Sequence, residues 1–298
     1  MTNKIIPIQD QITILMILYK EEYEMVRNCL KNIKNFKIII IDNANDKHLK
    51  KKILNEFKIY KYILNDKNIG FASAAHQGIN ECNTRHMLFL NADCLLTEKN
   101  IFLLYEAKNK YPNCLIVAPT FYDDNNDLSY NSGPLSENGE KLEPLKLEGD
   151  VCVESVNTTA ILFNVDEIKK IGSIDKNFFI YFVDEELCRR VKINKKAVIQ
   201  VFNSKAIHKH GNLKVEGKYN KIFVRNFHFT FDELYYYFKN DPYSKKLQIS
   251  RKKTYKYFVK MILNLFLFRF SKCVYYFSKS LAYFKFILKF KIIKKKDY

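Results

Sequence analysis

The chain has 298 residues, 47% of them hydrophobic, enough for one large α/β domain with an appendage or for two modest domains. Its seven cysteines are odd in number and form no Cys-x-x-Cys pair, which argues against a disulfide framework or a structural zinc site and for a reducing cytosol. The net charge of +18 is uneven: residues 251–298 hold fourteen Lys or Arg and one acid, Asp297, a net of +13 that leaves +5 for the rest.

No signal peptide is expected, because the apolar run 12–18 ends in Tyr19-Lys20-Glu21-Glu22 with no small-residue cleavage site. Residues 12–18 and 38–41 read as the first two strands, with a helix over 22–33 between them. The second strand ends in Asp42-Asn43, and a charged helix over 47–57 follows. Residues 59–64 look like a third strand. Asn68-Ile69-Gly70-Phe71 makes a turn and 72–80 a small-residue helix, with Gly70 serving the turn and Gly78 close packing. Residues 87–90 and 115–118 are the fourth and fifth strands. This alternation predicts a doubly wound, mostly parallel sheet flanked by helices. Residues 122–150 read as a long polar loop over the site. Apolar structure resumes over 156–163, a short helix over 166–171 is capped by Gly172, and 197–202 completes the core. An amphipathic aromatic helix over 219–239 closes a first domain of residues 1–240, and 241–298 is a basic aromatic helical tail.

Two acidic turns follow apolar runs. Met87-Leu88-Phe89-Leu90 runs into Asn91-Ala92-Asp93, and Phe178-Phe179-Ile180-Tyr181-Phe182 runs toward Asp184-Glu185-Glu186. Both runs read as buried strands, and a parallel sheet gathers its ligands at the carboxyl ends of its strands. Carboxylates there can hold a metal at one point and a general base at another, the equipment for moving a group off a diphosphate. A Gly-x-Gly-x-x-Gly fingerprint is absent, which speaks against a dehydrogenase.

An ordered series over roughly residues 12–240 resembles the inverting GT-A-fold glycosyltransferases, in particular the bacterial rhamnosyltransferase-like branch. The series comprises Ile38 to Asp42-Asn43, Asn68-Ile69-Gly70-Phe71-Ala72 through Gly78, Leu88-Phe89-Leu90-Asn91-Ala92-Asp93, Ile171-Gly172-Ser173-Ile174-Asp175 with Phe178 to Tyr181, Asp184-Glu185-Glu186-Leu187-Cys188-Arg189-Arg190, and Ile207-His208. The resemblance implies a nucleotide-sugar donor and a divalent cation, Mg²⁺ or Mn²⁺, on Asp93 and the late histidine His208. It also implies donor contacts from Asp42, Asn43, Asn68, Gly70, Phe71, Asn91 and Arg190, and Asp184 as the base, with Glu185 and Glu186 as rivals. Val183 stands where that family has Glu, Glu186 replaces an Asp, Leu18 a Thr, and Ser173-Ile174 a Gly-Phe pair.

Each residue also has a plainer reading. Asp93 would N-cap a helix beginning near Leu95. His210 rivals His208, since two residues along an extended segment share a face. Asp184 to Glu186 would open a helix whose dipole favours acids, with Arg189 and Arg190 at pairing distance.

The tail holds fourteen aromatics, no Gly and no Pro, and its longest uncharged run, 261–268, is far short of the ~20 residues that span a bilayer. Aromatic and aliphatic residues interleaved with Lys suit a surface helix on anionic lipid, in at least two pieces broken near 271–280. The aliphatics Ile262, Leu263, Leu265 and Leu267 speak against a nucleic-acid arm. A hairpin packed on the catalytic domain, or on a second subunit as a homodimer, is the alternative. The expectation is a cytoplasmic enzyme, peripheral on the inner face of the membrane. It would pass a sugar, rhamnose being the one the resemblance suggests, to a glycan or lipid-linked glycan acceptor for surface polysaccharide. A non-catalytic scaffold, favoured by Val183, is the second reading.

Overall fold

The computed structural model describes residues 6–129, 132–133, 148–209 and 215–290. Most of the polar stretch expected over the site, and His210, lie outside the described residues.

After a single turn, α1 (Ile8–Gln11), the chain alternates β1 (Ile12–Leu18), α2 (Tyr23–Lys31), β2 (Lys37–Asp42), α3 (Lys47–Glu56), β3 (Lys61–Leu64), α4 (Phe71–Asn80) and β4 (His86–Leu90). β1, β2, β3 and β4 are mutually parallel neighbours. β1, β2 and β4 are apolar at nearly every position because both faces are covered, whereas edge strand β3 is only partly buried. Ile12, Ile14 and Met16 share a core with Val26 and Leu30 of α2 and Ile53 of α3. Leu15 points to the other face, where Gly78 of α4 comes so close that an added Cβ would sit 2.4 Å from Leu15 Cδ1.

β5 (Cys94–Leu96), α5 (Glu98–Lys110), β6 (Cys114–Tyr122), β7 (Ser132–Gly133), β8 (Val151–Val153), β9 (Ser155–Val156), β10 (Ala160–Asn164), α6 (Val165–Lys170), α7 (Val183–Ile193) and β11 (Ala197–His208) complete this part. The main sheet runs β3-β2-β1-β4-β10-β6-β11-β5, with β8 also on β11; β10, β5 and β8 are antiparallel to their neighbours. β11 is twice the expected length, since its second half pairs with β5. The helix expected from Leu95 begins instead at Glu98, capped by Thr97, and Cys94–Leu96 is a strand. Asp93 is therefore not a helix cap.

The chain divides into two compact units, Met1–Lys176 with Val183–Asn212, and Asn177–Phe182 with Leu213–Tyr298. The second unit is helical: α8 (Lys218–Asn240), α9 (Lys245–Gln248), α10 (Ser250–Phe266) and α11 (Phe270–Phe290). Within this unit α8 packs on α11. Phe231 meets Phe286 at 5.6 Å between ring centroids, and Tyr235 and Phe238 meet Phe290 at 5.3 and 4.9 Å. The break between α10 and α11 falls at 267–269, before the expected stretch, with Phe268 at φ +52°. The two helices form a hairpin, tied by the Ser280 hydroxyl donating to the Thr254 carbonyl at 3.0 Å.

The run Phe178 to Phe182 is not a strand. Its backbone N–H groups at Phe179, Ile180 and Tyr181 donate to the carboxylate of Asp232 on α8, at 3.0, 2.9 and 2.9 Å. Those donors would otherwise serve a ladder, and Phe182 at φ +61° turns the chain into α7. No described helix is long and apolar enough to cross a membrane.

Candidate active site

The carboxyl ends of β2, β3 and β4 and the end of β11 supply most of the candidate residues, as parallel connectivity dictates. β4 ends in a tight turn: the Asn91 N–H donates to the Thr159 carbonyl at 2.9 Å, and the Cys94 N–H returns to the Asn91 carbonyl at 3.1 Å. The chain then enters β5, which pairs with β11 in the register Cys94↔His208. The Lys209 N–H closes the pair on the Asp93 carbonyl at 2.9 Å. Asp93 and His208, 115 positions apart, thus meet with Oδ2 and Nε2 3.5 Å apart, both partly exposed. The ring of Phe121 on β6 stands edge-on to His208 at 5.9 Å.

The donor types suit a small divalent cation. Neighbouring ligand atoms about 2.0–2.1 Å from one ion lie roughly 3 Å from each other, which the 3.5 Å pair approaches. No group of three or more His, Cys, Asp or Glu gathers as a metal site among the described residues. The remaining ligands would come from elsewhere, as Mg²⁺-type sites on phosphate substrates ordinarily arrange.

At the end of β2, Asp42 has no accessible surface. Its Oδ1 accepts the Ala44 N–H at 2.7 Å and its Oδ2 the Tyr62 hydroxyl at 3.1 Å, while burial raises its pKa. In this arrangement Asp42 organises the turn. Asn43 is equally committed: its amide donates to the Gly70 carbonyl at 3.2 Å and its oxygen accepts from Asn65 at 2.9 Å. Asn68 Oδ1 accepts the Gly70 N–H at 2.9 Å, Gly70 turns at φ +83°, and α4 begins with no side-chain cap. The first-turn N–H groups of α4, with half-buried Asn68 and Phe71 beside them, form the part of this edge open to an anion.

α7 opens with Val183, Asp184, Glu185 and Glu186. Val183 is buried, so this position holds an apolar side chain and the carboxylates begin at Asp184. Loss of water contact, then the neighbouring Glu185 carboxylate, push Asp184 well above the ordinary carboxylate range. One Glu185 oxygen, Oε2, is buried without a hydrogen-bond partner. Glu186 differs: it is buried and takes Arg190 in a two-pronged pair at 2.7 and 2.8 Å. Arg190 Nη1 and Nη2 also donate to the carbonyls of Ile171 and Ser173, at 2.7 and 2.6 Å. The guanidinium thus ties α7 to the turn after α6, where Gly172 at φ +101° leaves room for it. In this structure Arg190 holds that turn, and both Glu186 oxygens hold Arg190.

Three residues escaped the sequence reading. Tyr62 and Asn65 brace Asp42 and Asn43, and Asp232 holds the backbone at 179–181. An Asn directly after a strand was a visible signal for Asn65; Asp232 lay hidden in an amphipathic helix.

A mixed, mostly parallel sheet flanked by helices, with an Asp and a His paired at its carboxyl edge, defines a GT-A-type fold. The chain belongs to glycosyl transferase family 2, whose model matches residues 13–168. It is 22% identical over 196 residues to the low-salt glycan biosynthesis hexosyltransferase Agl10 of Haloferax volcanii, covering 61% of this chain and 62% of that one. It is 23% identical over 210 residues to the dTDP-rhamnosyl transferase RfbF of Shigella flexneri, covering 68% and 70%. Its fold resembles that of GalNAc-T7 crystallised with UDP, GalNAc and Mn²⁺, at TM-score 0.56 and 14% identity, over 76% of this chain and 51% of that one. The mannosyltransferase PcManGT of Pyrobaculum calidifontis, in complex with GDP-Man and Mn²⁺, gives TM-score 0.54 at 8% identity, over 80% and 66%. The chain thus spans less than two thirds of the Haloferax relative and about half of GalNAc-T7.

Proposed function

We propose that this chain is a metal-dependent, inverting glycosyltransferase that passes a sugar from a nucleotide-sugar donor to a glycan or lipid-linked glycan. The observation that carries the reading is the Asp93–His208 pair at the sheet edge of a family 2 chain. Bound there, a divalent cation would neutralise the diphosphate as the anomeric bond breaks. An imidazole among the ligands favours Mn²⁺ over Mg²⁺, which prefers oxygen. Asn68, Phe71 and the first turn of α4 would receive the donor phosphates, with Asn91 toward the sugar. Asp184 takes the proton of the acceptor hydroxyl as that oxygen attacks the anomeric carbon. Once ionised, a carboxylate whose pKa is raised by burial accepts a proton more readily than an exposed one.

The sugar to try first is rhamnose in its thymidine diphosphate form, from the name of the Shigella relative. We place the enzyme on the inner, anionic face of the membrane, held by the basic C-terminal helices near a lipid-linked acceptor of surface polysaccharide synthesis. The test is a panel of nucleotide sugars with and without Mn²⁺, read by thermal shift and donor hydrolysis. Metal-dependent stabilisation by one donor supports the enzyme. A flat response across the panel supports the scaffold reading, which buried Val183 in the base motif favours.

A further inference from the structure

The membrane-surface reading above says that the C-terminal helices meet lipid but not through which atoms. α10 and α11 each carry apolar residues at helical spacing on their outer side: Tyr255, Phe258 and Phe266 on one, Phe277, Phe284 and Leu288 on the other, all exposed. The two stripes share one face of the hairpin. Tyr255 and Phe258 line the same open groove, about 390 Å³, as Phe277, Leu281 and Phe284. The opposite side of α11 is already used, with Ala282, Tyr283 and Phe286 buried. The groove face continues into the turn, where Phe266, Leu267 and Phe268 are 75%, 58% and 79% exposed. Contiguous apolar surface of this extent on a folded unit marks a binding surface.

Charge selects the occupant. Residues 251–290 contain no acid, Arg251 lines the groove beside Tyr255 and Phe258, and Arg269 is exposed next to the Phe266 to Phe268 tip. A second copy meeting this face about a two-fold axis would set like cations against each other. An anionic lipid leaflet offers hydrocarbon to the aromatics and phosphate to the guanidinium groups, whose long stems reach the headgroups while rings go deeper. We propose that the α10–α11 face, led by the Phe266 to Phe268 tip, inserts into the interfacial layer of an anionic leaflet, lying in it without spanning it. This rests on the membrane-surface reading and adds the inserting element.

The chain contains no Trp, so one introduced indole reports alone. The full chain carrying Phe268→Trp is mixed with phosphatidylglycerol–phosphatidylcholine vesicles, with Leu54→Trp on α3 as the reference. Emission from Phe268→Trp should shift to the blue and be quenched by bromine-labelled acyl chains, with Leu54→Trp unmoved. Replacing Phe266 and Phe268 together by Ser should weaken vesicle partitioning at least roughly tenfold. If the chain floats with the vesicles while Phe268→Trp keeps its water-like emission, the membrane reading stands and the inserting hairpin is overturned. Failure of the unsubstituted chain to float overturns both. A blue shift that grows with protein concentration alone, or that needs generic RNA, assigns the face to self-association or to nucleic acid and overturns the proposal.

Discussion

His208 Nε2 lies 3.5 Å from Asp93 Oδ2 because β5 and β11 pair in the register that sets His208 opposite Cys94. A shift of one residue would turn His208 to the other face of the sheet. The pair is therefore a property of the ladder as much as of the two side chains.

Asp93→Ala should abolish Mn²⁺-dependent binding of the nucleotide sugar while leaving the thermal transition of the unliganded protein in place. His208→Ala should weaken it by at least the roughly 10–100-fold that loss of even an outer-shell partner costs. Titration calorimetry with and without Mn²⁺ measures both. Unchanged metal dependence in Asp93→Ala would remove Asp93 from the site.

Asp184→Asn cannot accept a proton and should lose transfer by roughly 10²–10⁴-fold, with donor affinity nearly unchanged. It should also raise Tm at neutral pH. Ionising Asp184 inside the fold is unfavourable, as its raised pKa states, so stability is fuller below the ordinary carboxylate pKa and declines as pH rises through the raised one. Calorimetry at two pH values, beside a transfer assay, reads both effects. Loss of transfer in Glu185→Gln with none in Asp184→Asn would move the base one residue along.

Asp232→Ala removes the acceptor of three part-buried N–H groups and should destabilise the protein by roughly 1–3 kcal/mol in all, since water can partly replace the lost carboxylate. Urea denaturation gives the loss, and amide exchange should quicken at residues 179–181. Burial raises Asp232 to about 6, so its contribution to stability declines as pH climbs from the ordinary carboxylate range to that value. The destabilisation should accordingly be larger at acidic than at neutral pH. Unchanged exchange at 179–181 would show that the aromatic packing of Phe178 on Tyr235 and Phe179 on His228 suffices.

Ending the chain at Asn240 should give a protein that aggregates or unfolds without a cooperative transition. The cut strips Phe286 and Phe290 from Phe231, Tyr235 and Phe238, and lost aromatic packing of this kind costs roughly 3–5 kcal/mol per ring. A sharp, two-state melt from that fragment would show that α8 holds without its partners.

Local chemistry made the alternation of strands and helices legible, along with the turn at Gly70, the close approach at Gly78, the acid-rich start of α7 and the charge of the tail. Each depends on residues within one turn or one strand, where periodicity, caps and glycine act directly. What tertiary structure alone decided are relations across long stretches of chain. Phe178 to Phe182 has the composition of a strand, but Asp232, some fifty residues on, takes its N–H groups and leaves none for a ladder. Arg190 is engaged by Glu186 and two carbonyls of the 171–173 turn. Asp42, at a strand end, accepts the hydroxyl of Tyr62. Side-chain type states what a residue can bond; which partner satisfies it depends on which groups the fold brings within about 3 Å, and no local pattern encodes that distance.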